Sequence, residues 1–214
     1  MIALEAAAFA VMLLLAYLAG SIPFGLLVGK IFYHVDVREH GSGNTGTTNV
    51  FRVLGKKAGI AVFACDMLKG YIPAVIAAYF FDPWFAIFIA AAPVVGHMYS
   101  VFLKGSGGKG VATGAAVVLA LVPLAFGIII VVWVLLILTT RYVSLASLVA
   151  TFLVPVLVIA FDDPLPYEIA AVLVTVVIFW AHRANIRRLF QGTENRVKLP
   201  WSHDSSALAG GGGS

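Results

Sequence analysis

Two glycine-rich polar stretches, Gly41-Ser-Gly-Asn-Thr-Gly-Thr-Thr-Asn-Val-Phe-Arg52 and Gly105-Ser-Gly-Gly-Lys-Gly-Val-Ala-Thr113, have the composition of a phosphate-handling surface. Glycines leave backbone N–H groups open to an anion, and a helix start adds the positive end of its dipole. Lys109 supplies a compact charge and Arg52 a fork that grips two oxygens. Candidate binding residues are Ser42, Gly43, Asn44, Thr48, Asn49 and Arg52 in the first stretch, and Gly107, Gly108, Lys109, Gly110 and Thr113 in the second. A third polar run, Trp180-Ala-His-Arg-Ala-Asn-Ile-Arg-Arg-Leu-Phe-Gln-Gly192, sets His182 and Asn185 on one helix face with Arg188 next along it.

Each feature also has an ordinary explanation. The glycine stretches read as interfacial loops with helix caps, and the third run as a membrane anchor with snorkelling arginines and a glycine C-cap. The anchor reading explains Arg183 and Arg187 but not Asn185, an amide that gains nothing from lipid. Both glycine stretches match G-x-G-x-x-G, but a dinucleotide fingerprint needs a preceding strand in a βαβ unit, and no Walker A loop occurs.

The elements that must position these residues are membrane helices. Of the 214 residues, 61% are hydrophobic and 11% charged, with mean hydropathy +1.01. A soluble domain carries about 25% charged residues, so the bilayer must be the solvent. Backbone polar groups in lipid must pair within their segment, and the alternation of a membrane barrel is absent, which leaves an all-α integral membrane protein. The apolar runs predict seven transmembrane helices at about 4–31, 60–81, 84–102, 109–122, 124–140, 143–161 and 166–189. A short interfacial helix is expected over 44–54.

Charge sets the orientation. With the N-terminus outside and the C-terminus cytoplasmic, the inner connections hold or border Lys30, Arg38, Arg52, Lys56, Lys57, Lys104, Lys109, Arg141, Arg183, Arg187, Arg188, Arg196 and Lys198. Of the 14 basic residues only Lys69 is left out. The outer side holds Glu5, Asp82, Asp162, Asp163 and Glu168. The positive-inside rule therefore explains the net charge of +4 without a nucleic-acid partner. The first span is too long for a signal h-region and lacks a basic lead. Cys65, the single cysteine, excludes an internal disulfide. Residues 1–201 read as one polytopic domain, and 202–214, ending Gly-Gly-Gly-Gly-Ser, as an appended tail or flexible linker.

Inside the spans, Asp66 and Lys69 read either as an ion pair closing the bundle beneath the site or as catalytic groups. Ser144, Ser147 and Thr151 share one face, with Ser147 a candidate for lining the site. His97 leads into the second glycine stretch as a helix-end or site-lining residue. His34, Asp36 and His40 have no further acidic partners at ligand spacing, so no metal is expected.

Gly41-Ser-Gly-Asn-x-Gly-x-Thr-Asn-x-x-Arg52, Gly96-His97 leading into Gly107-Gly-Lys-Gly-Val-Ala-Thr113, and His182-Arg-x-Asn-Ile-x-Arg-Leu189 resemble, in order and spacing, the three signatures of the bacterial acyl-phosphate:glycerol-3-phosphate acyltransferase family. The resemblance implies a multi-pass enzyme of the bacterial inner membrane with its active site facing the cytoplasm. It would move a fatty acyl group from acyl-phosphate to the 1-hydroxyl of glycerol-3-phosphate, giving lysophosphatidic acid and phosphate. No cofactor or metal is implied, and a monomer in contact with membrane lipid is expected. Two departures stand out: Ser100 occupies a position where the family usually has proline, and Gly105-Ser106, with Lys104 before them, replace the usual Phe-Lys.

Such a reaction mainly needs alignment and charge stabilisation, because acyl-phosphate is already activated. Lys109, Arg52, Ser42 and the loop N–H groups are expected to hold phosphate, and His182 and Asn185 to orient the hydroxyl and the developing oxyanion. Whether His182 or the substrate phosphate takes the proton is open at this stage. The alternative function is a transporter of a phosphorylated solute, which would favour a midplane site and internal repeats. An acyl-CoA enzyme with His-x-x-x-x-Asp is disfavoured, since no histidine has aspartate five positions later.

Overall fold

A computed structural model describes residues 2–197, so Lys198 and the tail 202–214 lie outside the described residues. The described chain is helical: α1 (Ile2–Ser21), α2 (Phe24–Tyr33), α3 (Thr47–Leu54), α4 (Lys56–Phe80), α5 (Pro83–Met98), α6 (Val111–Leu121), α7 (Pro123–Thr140), α8 (Val143–Ala160), α9 (Leu165–Ala181) and α10 (Arg183–Phe190). Short 3₁₀ turns at Val37–Glu39 and Val101–Leu103 lead into the two glycine stretches. Five helices are long and apolar enough to cross a membrane, and six if α9 and α10, bent by 61°, count as one. Large side chains such as Leu4, Tyr79, Phe80 and Leu173 stay exposed, as suits a surface that faces lipid.

The expected spans need correction at three places. The stretch 4–31 is not one helix, because Pro23 cannot continue α1 and the chain restarts as α2. The run at 109–122 yields an α6 of 11 residues, roughly 16 Å at 1.5 Å per residue, too short to cross about 30 Å of hydrocarbon unaided. The last run bends at His182. Elsewhere local rules hold: Asp82 caps α5 by accepting from Trp84 N at 2.8 Å with Pro83 in the first turn, and Gly55 separates α3 from α4.

Packing draws the polar ends together. α1 lies along α5 and α4 around a cluster of Ala16, Ala77, Ala86 and Ala92, small residues that let backbones approach closely, with Ile89 filling the space between them. Val37, Val50, Ala58 and Val62 seat α3 on α4, and Val122, Ala125, Ile129, Ala150, Val158 and Ala171 join α7, α8 and α9. The break after α1 frees carbonyls that lipid cannot satisfy. Ser100 Oγ donates to Ser21 O at 2.6 Å, and Lys69 Nζ to Ile22 O at 3.0 Å. The serine at position 100 thus stitches the α5 exit to the end of α1.

Candidate active site

The first glycine loop is shaped by Asn49, which is buried near the start of α3. Its Oδ1 accepts from Ser42 N at 2.8 Å, and its Nδ2 donates to Asn44 O and Val37 O at 2.9 Å and to His40 O at 3.1 Å. Asn49 therefore holds the loop by its own amide, while Ser42, Gly43, Thr48 and Arg52 stay exposed. Asn44 accepts from Gly46 N at 2.8 Å and donates to Gly107 O at 3.4 Å, which ties the first loop to the second. Asp36 braces this corner: bonds from Arg38 at 2.7 and 2.9 Å hold its carboxyl well below the usual carboxylate range, with Lys30 at 3.2 Å.

The second loop lies on His97. Gly108 N donates to His97 O at 2.9 Å, and any side chain at Gly108 would run into the imidazole ring. Gly110 adopts φ +80°, a left-handed turn that opens α6. Between them Lys109 reaches across to the end of the bundle, where its Nζ donates to Asn185 Oδ1. Asn185 Nδ2 donates to Glu194 Oε1 at 2.8 Å, and Arg188 Nε to Glu194 Oε2 at 2.7 Å.

Electrostatics follow from this geometry. Burial pushes the Lys109 ammonium down to about 8, with Arg188 and Arg52 adding repulsion and Glu194 opposing it. Burial works to raise the Glu194 carboxyl, but the bonds from Asn185 and Arg188 outweigh it and hold it below its ordinary value. His182 is buried at the bend, and its Nδ1 lies 2.8 Å from Ile178 O. A carbonyl only accepts, so Nδ1 carries the hydrogen and Nε2 is left as an acceptor.

Lys109, Asn185, Arg188 and His182 thus gather at one end, with Arg52 within electrostatic reach. Three other sequence candidates stand apart from that cluster. His97 turns toward Asp66 at 3.6 Å, Ser147 Oγ takes the Trp133 indole N–H at 3.4 Å, and Thr113 is fully buried where α6 meets α4. Glu194 was missed by the sequence reading. Its signal was available: it is the one carboxylate between Glu168 and Asp204, in a run holding Arg183, Arg187, Arg188 and Arg196. Thr47 was also passed over, although its Oγ1 donates to Asp66 at 3.3 Å. Beside the polar cluster an apolar cleft runs between α5, α6, α7, α8 and α9, from Val111, Gly114 and Ile178 to Val158 and Tyr167.

Comparison with known proteins places this arrangement. Residues 10–192 match the family model described as glycerol-3-phosphate acyltransferase. The glycerol-3-phosphate acyltransferase of Geobacillus kaustophilus (strain HTA426) is 51% identical over 191 residues, 89% of this chain and 97% of that protein. The enzyme of the same name from Macrococcus caseolyticus (strain JCSC5402) is 43% identical over 89% of this chain and 97% of its own length. The crystal structure of PlsY (YgiH), an integral membrane glycerol 3-phosphate acyltransferase, in its glycerol 3-phosphate form superposes at TM-score 0.86 and 43% identity, covering 89% of this chain and 96% of that one. Its lysophosphatidic acid form gives 0.84 and 42% over the same shares. With the match running through nearly every described helix, this chain belongs to the PlsY-type glycerol-3-phosphate acyltransferase family.

Proposed function

We propose that this protein transfers a fatty acyl group from acyl-phosphate to the sn-1 hydroxyl of glycerol-3-phosphate. The observation that carries the reading is the Lys109–Asn185–Glu194–Arg188 network beside His182, opening next to an apolar cleft. A cationic pocket suits phosphate, and the apolar cleft beside it suits an acyl chain. The hydroxyl oxygen attacks the acyl carbon, a new ester C–O bond forms, and the bond to phosphate breaks with its electron pair leaving on phosphate. Lys109 and Arg52 neutralise the phosphates, the Ser42 hydroxyl and the Gly107 and Gly110 N–H groups add hydrogen bonds, and Asn44, Thr48 and Arg188 complete the walls, while Gly43 and Gly108 shape the loops through their own N–H bonds to His40 and His97. His182 Nε2 accepts the hydroxyl hydrogen, which passes to the imidazole or to the departing phosphate. Asn185 aligns Lys109 and the reacting groups; Asn49, His97 and Thr113 hold the loops and α6 in place. No metal or cofactor enters the scheme.

In the membrane, residues 1–201 act as a single monomeric domain with seven crossings, α6 and α7 together forming an out-and-back pair. Support comes from contacts between distant ends: Val197 N donates to Arg141 O at 2.8 Å and Arg196 to the Tyr142 hydroxyl at 2.9 Å, so the α7–α8 turn adjoins the segment that carries Glu194. The contacts support putting both on one side of the membrane, and the basic residues that gather there argue for the cytoplasmic face of the bacterial inner membrane, with the N-terminus outside. A transporter would instead carry labelled glycerol-3-phosphate into liposomes without an acyl donor. Purified protein should form lysophosphatidic acid from acyl-phosphate and not from acyl-CoA; the reverse donor preference contradicts the assignment.

A further inference from the structure

Below the second glycine loop lies a second polar cluster that the proposed chemistry does not use. Asp66 is 1% and Lys69 7% exposed, deep in α4, and Lys69 Nζ lies 2.8 Å from Asp66 Oδ1. Two buried charges at membrane depth need a full set of partners, and such residues are retained for a task. Their partners come from four different places. Thr47, the first residue of α3, donates to Asp66 Oδ2 at 3.3 Å. His97 Nδ1 approaches Oδ1 at 3.6 Å. Lys69 also donates to Ile22 O at the α1 break, and its Nζ lies 5.5 Å from the Phe24 ring centre.

The two ends of this cluster reach the two glycine loops. Thr47 follows directly on the first loop, whose Gly46 faces Gly108 of the second. His97 carries the second loop on its carbonyl and its ring face. One carboxylate therefore joins the root of both loops, while neither Asp66 nor Lys69 bonds to the Lys109–Asn185 network.

We infer that the Asp66–Lys69 pair is a positioning device that sets the spacing of the two glycine loops, and through it the site that grips glycerol-3-phosphate. Asp66, Lys69 and Thr47 touch no substrate; they act through the loops. A plain stability pair would hold α4 to its neighbours without affecting ligand affinity. The inference rests on the proposed use of the loops for phosphate, so its test reads glycerol-3-phosphate binding directly, with no acyl donor.

Thr47→Val removes one hydroxyl and leaves the Asp66–Lys69 pair intact. Titration calorimetry on the purified full chain should show glycerol-3-phosphate Kd weakened about tenfold, the scale of one hydrogen bond to a charged group. A modest fall in melting temperature should accompany it, since one Asp66 oxygen loses its hydroxyl, and Thr47→Ser should restore both affinity and stability. Asp66→Asn combined with Lys69→Met, which removes both charges at similar volume, should weaken binding in the same sense. In turnover assays the loss should appear in KM for glycerol-3-phosphate with kcat little changed. Unaltered Kd in both variants, or a Thr47→Val defect limited to melting temperature, overturns the inference. A parent protein that binds glycerol-3-phosphate but makes no lysophosphatidic acid would refute the proposed reaction and leave this positioning role standing.

Discussion

Lys109 is the residue whose chemistry is most exposed to measurement. Its ammonium, lowered by burial to about 8, is charged below that pH and neutral above it. A neutral amine cannot hold a phosphate, so kcat/KM for glycerol-3-phosphate, which reports the free enzyme, should fall as pH rises through about 8. Lys109→Arg keeps the charge at all these pH values and should lose that falling limb, whatever its absolute rate. A parent profile that stays flat to about pH 9.5 would remove Lys109 from the phosphate site. Lys109, His182 and Asn185 were legible in the sequence because polar side chains at the ends of apolar helices have no packing use that explains their type. Glu194 was not, since its role depends on a chain reversal after α10 that folds it back on Asn185 and Arg188. No local pattern announces that return.

At the scale of elements, the glycine loops work by close approach of backbone to side chain, and two glycines separate the causes. Gly108 faces the His97 ring, whereas Gly105, at φ +83°, has open space where a side chain would go. Gly108→Ala should displace the loop and lower kcat/KM by about tenfold or more, the loss expected when a binding surface shifts by a fraction of an ångström. Gly105→Ala should incur only the left-handed strain, about 1 kcal/mol, and leave turnover within about twofold. Equal losses in the two variants, measured by turnover and melting, would show that general loop flexibility matters and not the His97 contact. The short helix near 44–54 was readable and is observed as Thr47–Leu54. The break at Pro23 was crossed in the sequence reading because apolar residues continue on both sides. The bend at His182 carries no proline or glycine to signal it.

For the whole molecule, the two ends of the bundle differ in chemistry: glycine loops and arginines at one, Asp82 and Asp163 on the connections and Glu168 in the first turn of α9 at the other. With Cys65 replaced by alanine, a single cysteine at Ser106 should react with an impermeant maleimide only in inside-out vesicles, and one at Asp163 only in intact cells. Labelling of both from the same side would rule out the seven-crossing arrangement. Charge segregation is the sequence signal on which that proposed arrangement rests, because basic residues resist translocation however the helices pack. The shortness of α6 was legible, because the glycine run at 105–110 and Pro123 bound its apolar stretch on both sides; only its start at Val111, after the left-handed Gly110, was not.

The central claim is acyl transfer from acyl-phosphate to glycerol-3-phosphate, and one reaction mixture tests it most directly. Phosphate release and lysophosphatidic acid are measured together in the purified protein supplied with both substrates. The account predicts one phosphate for each lysophosphatidic acid, and no release when glycerol-3-phosphate is left out. Phosphate released without acylated product, or product formed without phosphate, would contradict it.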